Sequence, residues 1–262
     1  MRMPVFFLSH GGGPWPYMPE LQGQYALTTS AFSSIPASLP QSPKAVLVIS
    51  GHWEAREFTV STAAHPPMVY DYSGFPEHTY HIQYAAPGDP VLATQVRELL
   101  EHAGINTAVD ATRGYDHGTF VPMALMYPKA DIPIVMLSMK TGYDPAEHIR
   151  AGQALQGLRD EGVLIVGSGL SYHNMRGFGR ADAMEVSRSF GDYLLAAIAD
   201  EPQQRLAKLV NWQHAPAARL AHPREDHLIP LMVVTGAAGD DAGRQLFAEN
   251  VMNVQMASYR FG

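Results

Sequence analysis

The chain alternates short, unbroken apolar runs with longer stretches of helical period. Val5–Leu8, Ala45–Ile49, Ile134–Leu137 and Val163–Val166 are apolar throughout, the pattern of strands buried on both faces. A fifth run, Val251–Ser258, alternates apolar and polar positions and reads as an edge strand. Between the runs, Pro90–Ala103 puts Val91, Leu92, Val96, Leu99 and Leu100 on one helical face. Ala146–Arg159 does the same with His148, Ile149, Ala154, Leu155 and Leu158, and Met184–Ile198 with Val186, Phe190, Tyr193 and Leu194. Strands alternating with helices predict an α/β fold, with a mostly parallel or mixed central sheet covered by helices on both faces. The stretch 66–90 is rich in Pro, Gly and Tyr with little periodicity. It reads as a long ordered excursion walling a site. No repeat, low-complexity tract or linker interrupts the pattern, so a single domain over 1–262 is expected.

Composition narrows the function. Hydrophobic residues make up 46% of the 262 and charged residues 16%, enough for a sizeable core and unlike a disordered chain. A net charge of -7 argues against nucleic acid or an anionic membrane as partner. With no cysteine, disulfides, thiolate metal sites and thiol nucleophiles are excluded. The N-terminal apolar run, Pro4–Leu8, is too short for a secretory signal, and nothing approaches the ~20 apolar residues of a membrane span. A cytoplasmic protein is the expectation. Against 18 Lys and Arg stand 12 His, and histidine is the commonest metal ligand and the natural acid/base near neutral pH.

Three apolar runs lead closely into a histidine: VFFLSHGGG into His10, AVLVISGHWE into His52 and VLIVGSGLSYHN into His173. In sheets of this class, ligands bind beyond the carboxyl ends of the strands, so separate strands would deliver imidazoles to one edge. Neighbouring glycines (Gly11, Gly12, Gly13, Gly51, Gly167 and Gly169) permit tight turns and leave room for a ligand. A fourth candidate, His227, follows Pro223 and the acidic pair Glu225–Asp226, which read as a helix start with His227 in its first turn. A fifth, His117, sits in a loop before a helix. His102 and His148 read as surface or boundary residues, and His214 and His222 as parts of a polar connection. His65, His78 and His81 belong to the excursion and are expected along the pocket at most.

The chain resembles the class III extradiol ring-cleaving dioxygenases, the LigB-type superfamily, and most closely their 4,5-DOPA dioxygenase-like branch. The resemblance rests on six blocks in order: LSHGGGPWP, PKAVLVISGHWE, PPMVYDYSGFPEHTYHIQYAAPGDP, GYDHGTFVPMALMYPKADIPIVMLS, GVLIVGSGLSYHNMR and REDHLIPLMVV. It implies a single catalytic domain using non-haem Fe(II) and O2 to open the ring of a small catechol-type diol. By the same resemblance, His10, His52 and His227 match metal ligands, His173 the catalytic acid/base, and His117 a second catalytic histidine that orients the substrate. Trp53, Tyr72, Phe75 and Tyr80 are the expected pocket walls, and Arg176 a candidate partner for a substrate carboxylate.

In one respect the chain departs from the protocatechuate-type relatives, which place a glutamate at the third ligand position where this chain has His227. Three neutral imidazoles leave the metal's charge uncompensated, which favours a catecholate dianion. They also suit Zn(II), which the purified protein could carry. Two other readings compete: a zinc-dependent hydrolase, since three His and an open position suit water activation, and a non-catalytic metal-binding relative. The edge-like C-terminal strand permits a homodimer.

Overall fold

The computed structural model describes residues 1–262. Eight strands form one mixed sheet: β1 (Val5–Ser9), β2 (Ala45–Ala55), β3 (Phe58–Ser61), β4 (Thr107–Asp110), β5 (Ile134–Lys140), β6 (Val163–Gly169), β7 (Gly243–Val251) and β8 (Val254–Phe261). Their order across the sheet is β4-β3-β5-β2-β6-β1-β8-β7. The central strands β5, β2, β6 and β1 run parallel, and antiparallel pairs join β5 to β3 and β1 to β8. The four unbroken apolar runs are these four central strands. They are wholly apolar because both faces are covered, and Val5 to Leu8 are all fully buried.

Two neighbouring residues of β6 show that cover directly. Successive side chains of a strand point to opposite faces. A Cβ on Gly167 would meet the Pro230 carbonyl in the helix Ile229–Ala238 at 2.6 Å, whereas the Ser168 hydroxyl donates to the Gly118 carbonyl in the helix His117–Met126. Those two helices therefore lie on opposite faces of the sheet. The buried apolar side chains form one cluster of 68 residues. Truncating a member such as Phe7 to Ala would cost roughly 3–5 kcal/mol.

The helices Pro90–His102, Pro145–Leu155 and Ala183–Ala199 form where the periodicity predicts them, although Val91 of the first is exposed rather than on its buried face. Asp89 and Asp144 start the first two by accepting backbone N–H groups of the first turn. No helix is long and apolar enough to cross a membrane.

Four expectations are corrected. The run Val251–Ser258 is not one edge strand. It turns at Met252–Asn253 between β7 and β8, and β8 is inserted between β1 and β7, so β7 is the edge. His227 is not in the first turn of a helix but in the turn before it, because the helix begins at Ile229, with Pro230 in its first turn. His117 is the first residue of a helix rather than a loop residue, and Asp116 caps it through Thr119 N. His148 and His222 are fully buried. His148 takes part in backbone bonding to Lys140 and Asp144, and His222 packs between Phe190 and Trp212.

Candidate metal centre and active site

His10 follows β1 directly, and its backbone N–H donates to Gly169 at the end of β6. His52 lies inside β2, where the register with β5 slips between Ile49 and Glu54, so the irregularity, not the strand end, turns it towards the site. His227 reaches in from the turn before the helix Ile229–Ala238. That turn can approach because β6 has glycine at 169, where a Cβ would stand 2.0 Å from the His227 carbonyl.

These three rings converge. His52 Nε2 lies 3.1 Å from His10 Nε2 and 3.1 Å from His227 Nε2. The opposite nitrogens decide what these contacts are. His227 Nδ1 donates to Asp226 Oδ2 at 2.9 Å, and His52 Nδ1 faces Asp71 Oδ2 at 3.2 Å. His10 Nδ1 lies 3.0 Å from Ser168 Oγ, whose own hydrogen is committed to the Gly118 carbonyl, so the ring must donate. With every Nδ1 carrying the proton, each Nε2 is a bare lone pair. Bare lone pairs 3.1 Å apart repel unless a cation lies between them. A spacing of 3.1 Å suits nitrogens about 2 Å from one shared ion. The residues therefore fit a divalent metal.

Electrostatics agree. Burial, followed by the neighbouring His52, His117 and His227, holds His10 well below its ordinary 6.5. Burial is also the main cause of the lowering at His227, against the opposing effect of Asp226. His52 is pushed down to about 4 by burial and His117, with Asp116 and Asp71 opposing. All three are neutral near pH 7, the form that ligates.

Two further histidines border this set. His117 donates Nδ1 to Asp71 Oδ1 at 2.8 Å, its backbone N–H bonds the same oxygen at 3.1 Å, and its ring centre lies 4.0 Å from that of His52. His173 stacks on His227 with ring centres 3.4 Å apart, and its Nδ1 faces Asp226 Oδ1 at 3.6 Å. That is longer than a hydrogen bond and leaves Oδ1 without a partner. Burial pushes both carboxylates up, but the adjacent histidines outweigh it and hold Asp71 and Asp226 below the ordinary 3.8. All five histidines open onto one cavity of about 510 Å³, within the usual range for a small-molecule site.

A model of the catalytic LigB subunit of aromatic ring-opening dioxygenases matches residues 4–261. The chain belongs to this family. It is 36% identical to the dioxygenase tasH of Hapsidospora irregularis, over 99% of this chain and 85% of that protein. It is 37% identical to the 4,5-DOPA dioxygenase extradiol of Beta vulgaris, over 92% of this chain and 89% of that one. It is similar also to the crystal structure of an uncharacterized protein from Escherichia coli K12, with TM-score 0.82 and 32% identity over 100% of both chains.

In this LigB-family dioxygenase, His10, His52, His227, His117 and His173 share the cavity with Tyr72 and Phe75. Trp53 and Arg176, expected at the substrate, are elsewhere. Trp53 follows His52 in β2 and so points to the other face of the strand, where the Arg113 guanidinium covers its ring. Arg176 is exposed and lines a separate groove with Tyr172 and Arg180. Tyr80 is also off the cavity wall, its hydroxyl bonded to Phe75 N. His78 and His81 are exposed and pair with the Tyr17 carbonyl and Glu77.

Sequence reasoning missed Asp71 altogether and weighed Asp226 only as a rival ligand. The available signal for Asp71 was a lone carboxylate inside the apolar and aromatic run MVYDYSG. It also missed the apolar part of the cavity lining, which includes Leu170, Phe178, Met252 and Met256.

Proposed function

We propose that the chain is a ferrous-iron-dependent extradiol dioxygenase that opens the ring of a catechol-type diol with O2, acting as a single catalytic domain. The observation that carries this reading is the approach of the Nε2 atoms of His10 and His227 to that of His52, with Nδ1 of His10 and His227 hydrogen-bonded and Nδ1 of His52 facing Asp71. These three residues hold the metal in this reading. Bound Fe(II) supplies the chelation of both diol oxygens and the electron transfer between diol and O2.

The other residues handle protons and position. His173 is partly exposed to the cavity, with Nδ1 turned to Asp226, which leaves Nε2 to take a phenolic proton as general base and return it to an oxygen that develops charge. Asp226 stands where an imidazolium on His173 would form. His117, its Nδ1 held by Asp71, presents Nε2 as an acceptor for a diol hydroxyl. Tyr72 and Phe75, edge-to-face at 5.4 Å, wall the ring's path. Neutral imidazoles favour a dianionic diol, and the same donor set binds Zn(II), in which form the protein is expected to bind diols without turning them over.

The test is O2 uptake by protein reloaded anaerobically with Fe(II), against a panel of catechols, beside zinc-loaded protein and His173→Ala. Uptake with a yellow ring-opened semialdehyde, seen only with iron and lost in the variant, is expected. No uptake with any diol at full iron occupancy would overturn the reading.

A further inference from the structure

The cavity that holds the five histidines is lined by 18 residues, and none of them is Lys, Arg, Asp or Glu. Beyond the histidines and Gly11–Gly13 the polar contribution is Gln24 and two tyrosine hydroxyls. One of these, on Tyr25, already accepts from Gly12 N. The nearby cations are engaged or face elsewhere: Arg113 pairs with Asp116 over Trp53, while Arg176 and Arg180 line a different groove. Much of the remaining lining is apolar, with Leu170, Met175, Phe178, Met252 and Met256.

That wall is held in place at a conformational cost. Met252 and Asn253 form the two-residue turn between β7 and β8 with φ of 48° and 60°. Such a turn favours Asn and Gly at both positions, and a methionine there is disfavoured by its own Cβ. The turn is pinned to the segment that carries Met175 and Phe178, since Gly179 N donates to the Met252 carbonyl at 2.7 Å. Strain of this kind tends to persist where the side chain it presents has a use.

We infer that the diol carries an uncharged, apolar substituent on its ring, seated against Met175, Phe178, Met252 and Met256, rather than a carboxylate or an amino-acid group. A carboxylate brought against the buried part of this wall, at Leu170 and Met256, would lose its water with no Lys or Arg to compensate. An alkyl or aryl group would bury its surface against thioethers that adapt to its shape. This rests on the ring-opening reading above for the placement of the diol at the histidines.

The experiment has two arms. In the first, zinc-loaded protein is titrated calorimetrically with 4-methyl-, 4-ethyl- and 4-propylcatechol, with 3,4-dihydroxybenzoate and with 3,4-dihydroxyphenylalanine. In the second, kcat/KM for the same diols is measured with iron-loaded protein. Affinity is expected to rise about fourfold per added methylene. The two charged diols are expected to bind at least about tenfold more weakly than 4-propylcatechol. Met252→Lys and Met175→Lys, both at exposed positions of the cavity mouth, should tighten 3,4-dihydroxybenzoate and weaken 4-propylcatechol. A flat alkyl series, charged diols that bind as well as the alkyl ones, or no diol binding at all overturns the inference. Absence of cleavage with every diol would overturn the ring-opening reading alone, and the binding series would still decide this one.

Discussion

Asp226 bonds Nδ1 of His227 through Oδ2 at 2.9 Å and holds Oδ1 3.6 Å from Nδ1 of His173. One carboxylate thus governs a ring placed for metal binding and a ring placed for proton transfer. Asp226→Asn should weaken metal affinity by about 10–100-fold, the usual cost of losing the partner of a ligating histidine. It should also lower kcat at saturating metal, because His173 loses the charge it faces. Metal titration against a chromophoric chelator reads the first effect and steady-state kinetics the second. Wild-type kcat at saturating metal would show that His173 works independently of Asp226.

Asp71 spans His52 and His117 in the same way, accepting from both N–H groups of His117 at Oδ1 and facing His52 at Oδ2. Asp71→Asn is expected to weaken metal binding by about tenfold and to raise KM. His117→Gln should raise KM with metal affinity unchanged, since only substrate positioning is assigned to it. Loss of the metal in His117→Gln would move His117 into the ligand set.

Chelation of the metal should lower Tm, and Fe(II) or Zn(II) should restore it. Without the ion, the bare Nε2 of His52 stands 3.1 Å from those of His10 and His227. At metal concentrations about a hundred times Kd the gain is roughly 2.7 kcal/mol. His10→Ala should abolish the metal-dependent part of the shift in a thermal melt. An undiminished shift in that variant would place the ion elsewhere.

Acid should destabilise the fold through two buried histidines outside the metal-ligand set. Burial is the main cause that pushes His148 and His222 from 6.5 down to about 4, opposed by the backbone carbonyls of Asp144 and Ser171. Between pH 4 and 6.5 the unfolded chain therefore binds protons that the folded one does not. Stability falls as pH drops through that window and is independent of these groups above it. A displacement of this size corresponds to roughly 3 kcal/mol per histidine. In urea melts from pH 7 to 4.5, His148→Gln, which can still accept from Lys140 N and donate to the Asp144 carbonyl, should flatten the slope. An unchanged slope would mean that His148 titrates alike in both states.

The four central strands were readable along the chain because burial on both faces leaves no polar residue in the run. β3, β4 and β7 were not, being short or partly exposed, with polar residues mixed among the apolar ones. β8 was misplaced because a turn made by Met252 and Asn253 carries neither Gly nor Pro to mark it. The five histidines of the cavity were legible as residue types beside strand ends, helix starts and glycines. Trp53 was misassigned because the parity of the pleat counts only once the face of His52 is known.

The local pattern of the chain was sufficient for the α/β class, the parallel core and the imidazoles that meet at one sheet edge, since each follows from the order of apolar and polar residues over a few positions. Which nitrogen of each ring is bare was decided only by tertiary structure. The partners responsible, Ser168 for His10 and Asp71 for His52 and His117, lie 158, 19 and 46 residues away along the chain. Asp226 adjoins His227 in the chain, yet its reach to His173 exists only because the turn carrying it folds over Gly169. The same holds for the apolar wall of the cavity. A hairpin tip and a loop that are distant in sequence come together there through the Gly179 N–H to Met252 carbonyl bond, a backbone contact with no side-chain signature along the chain.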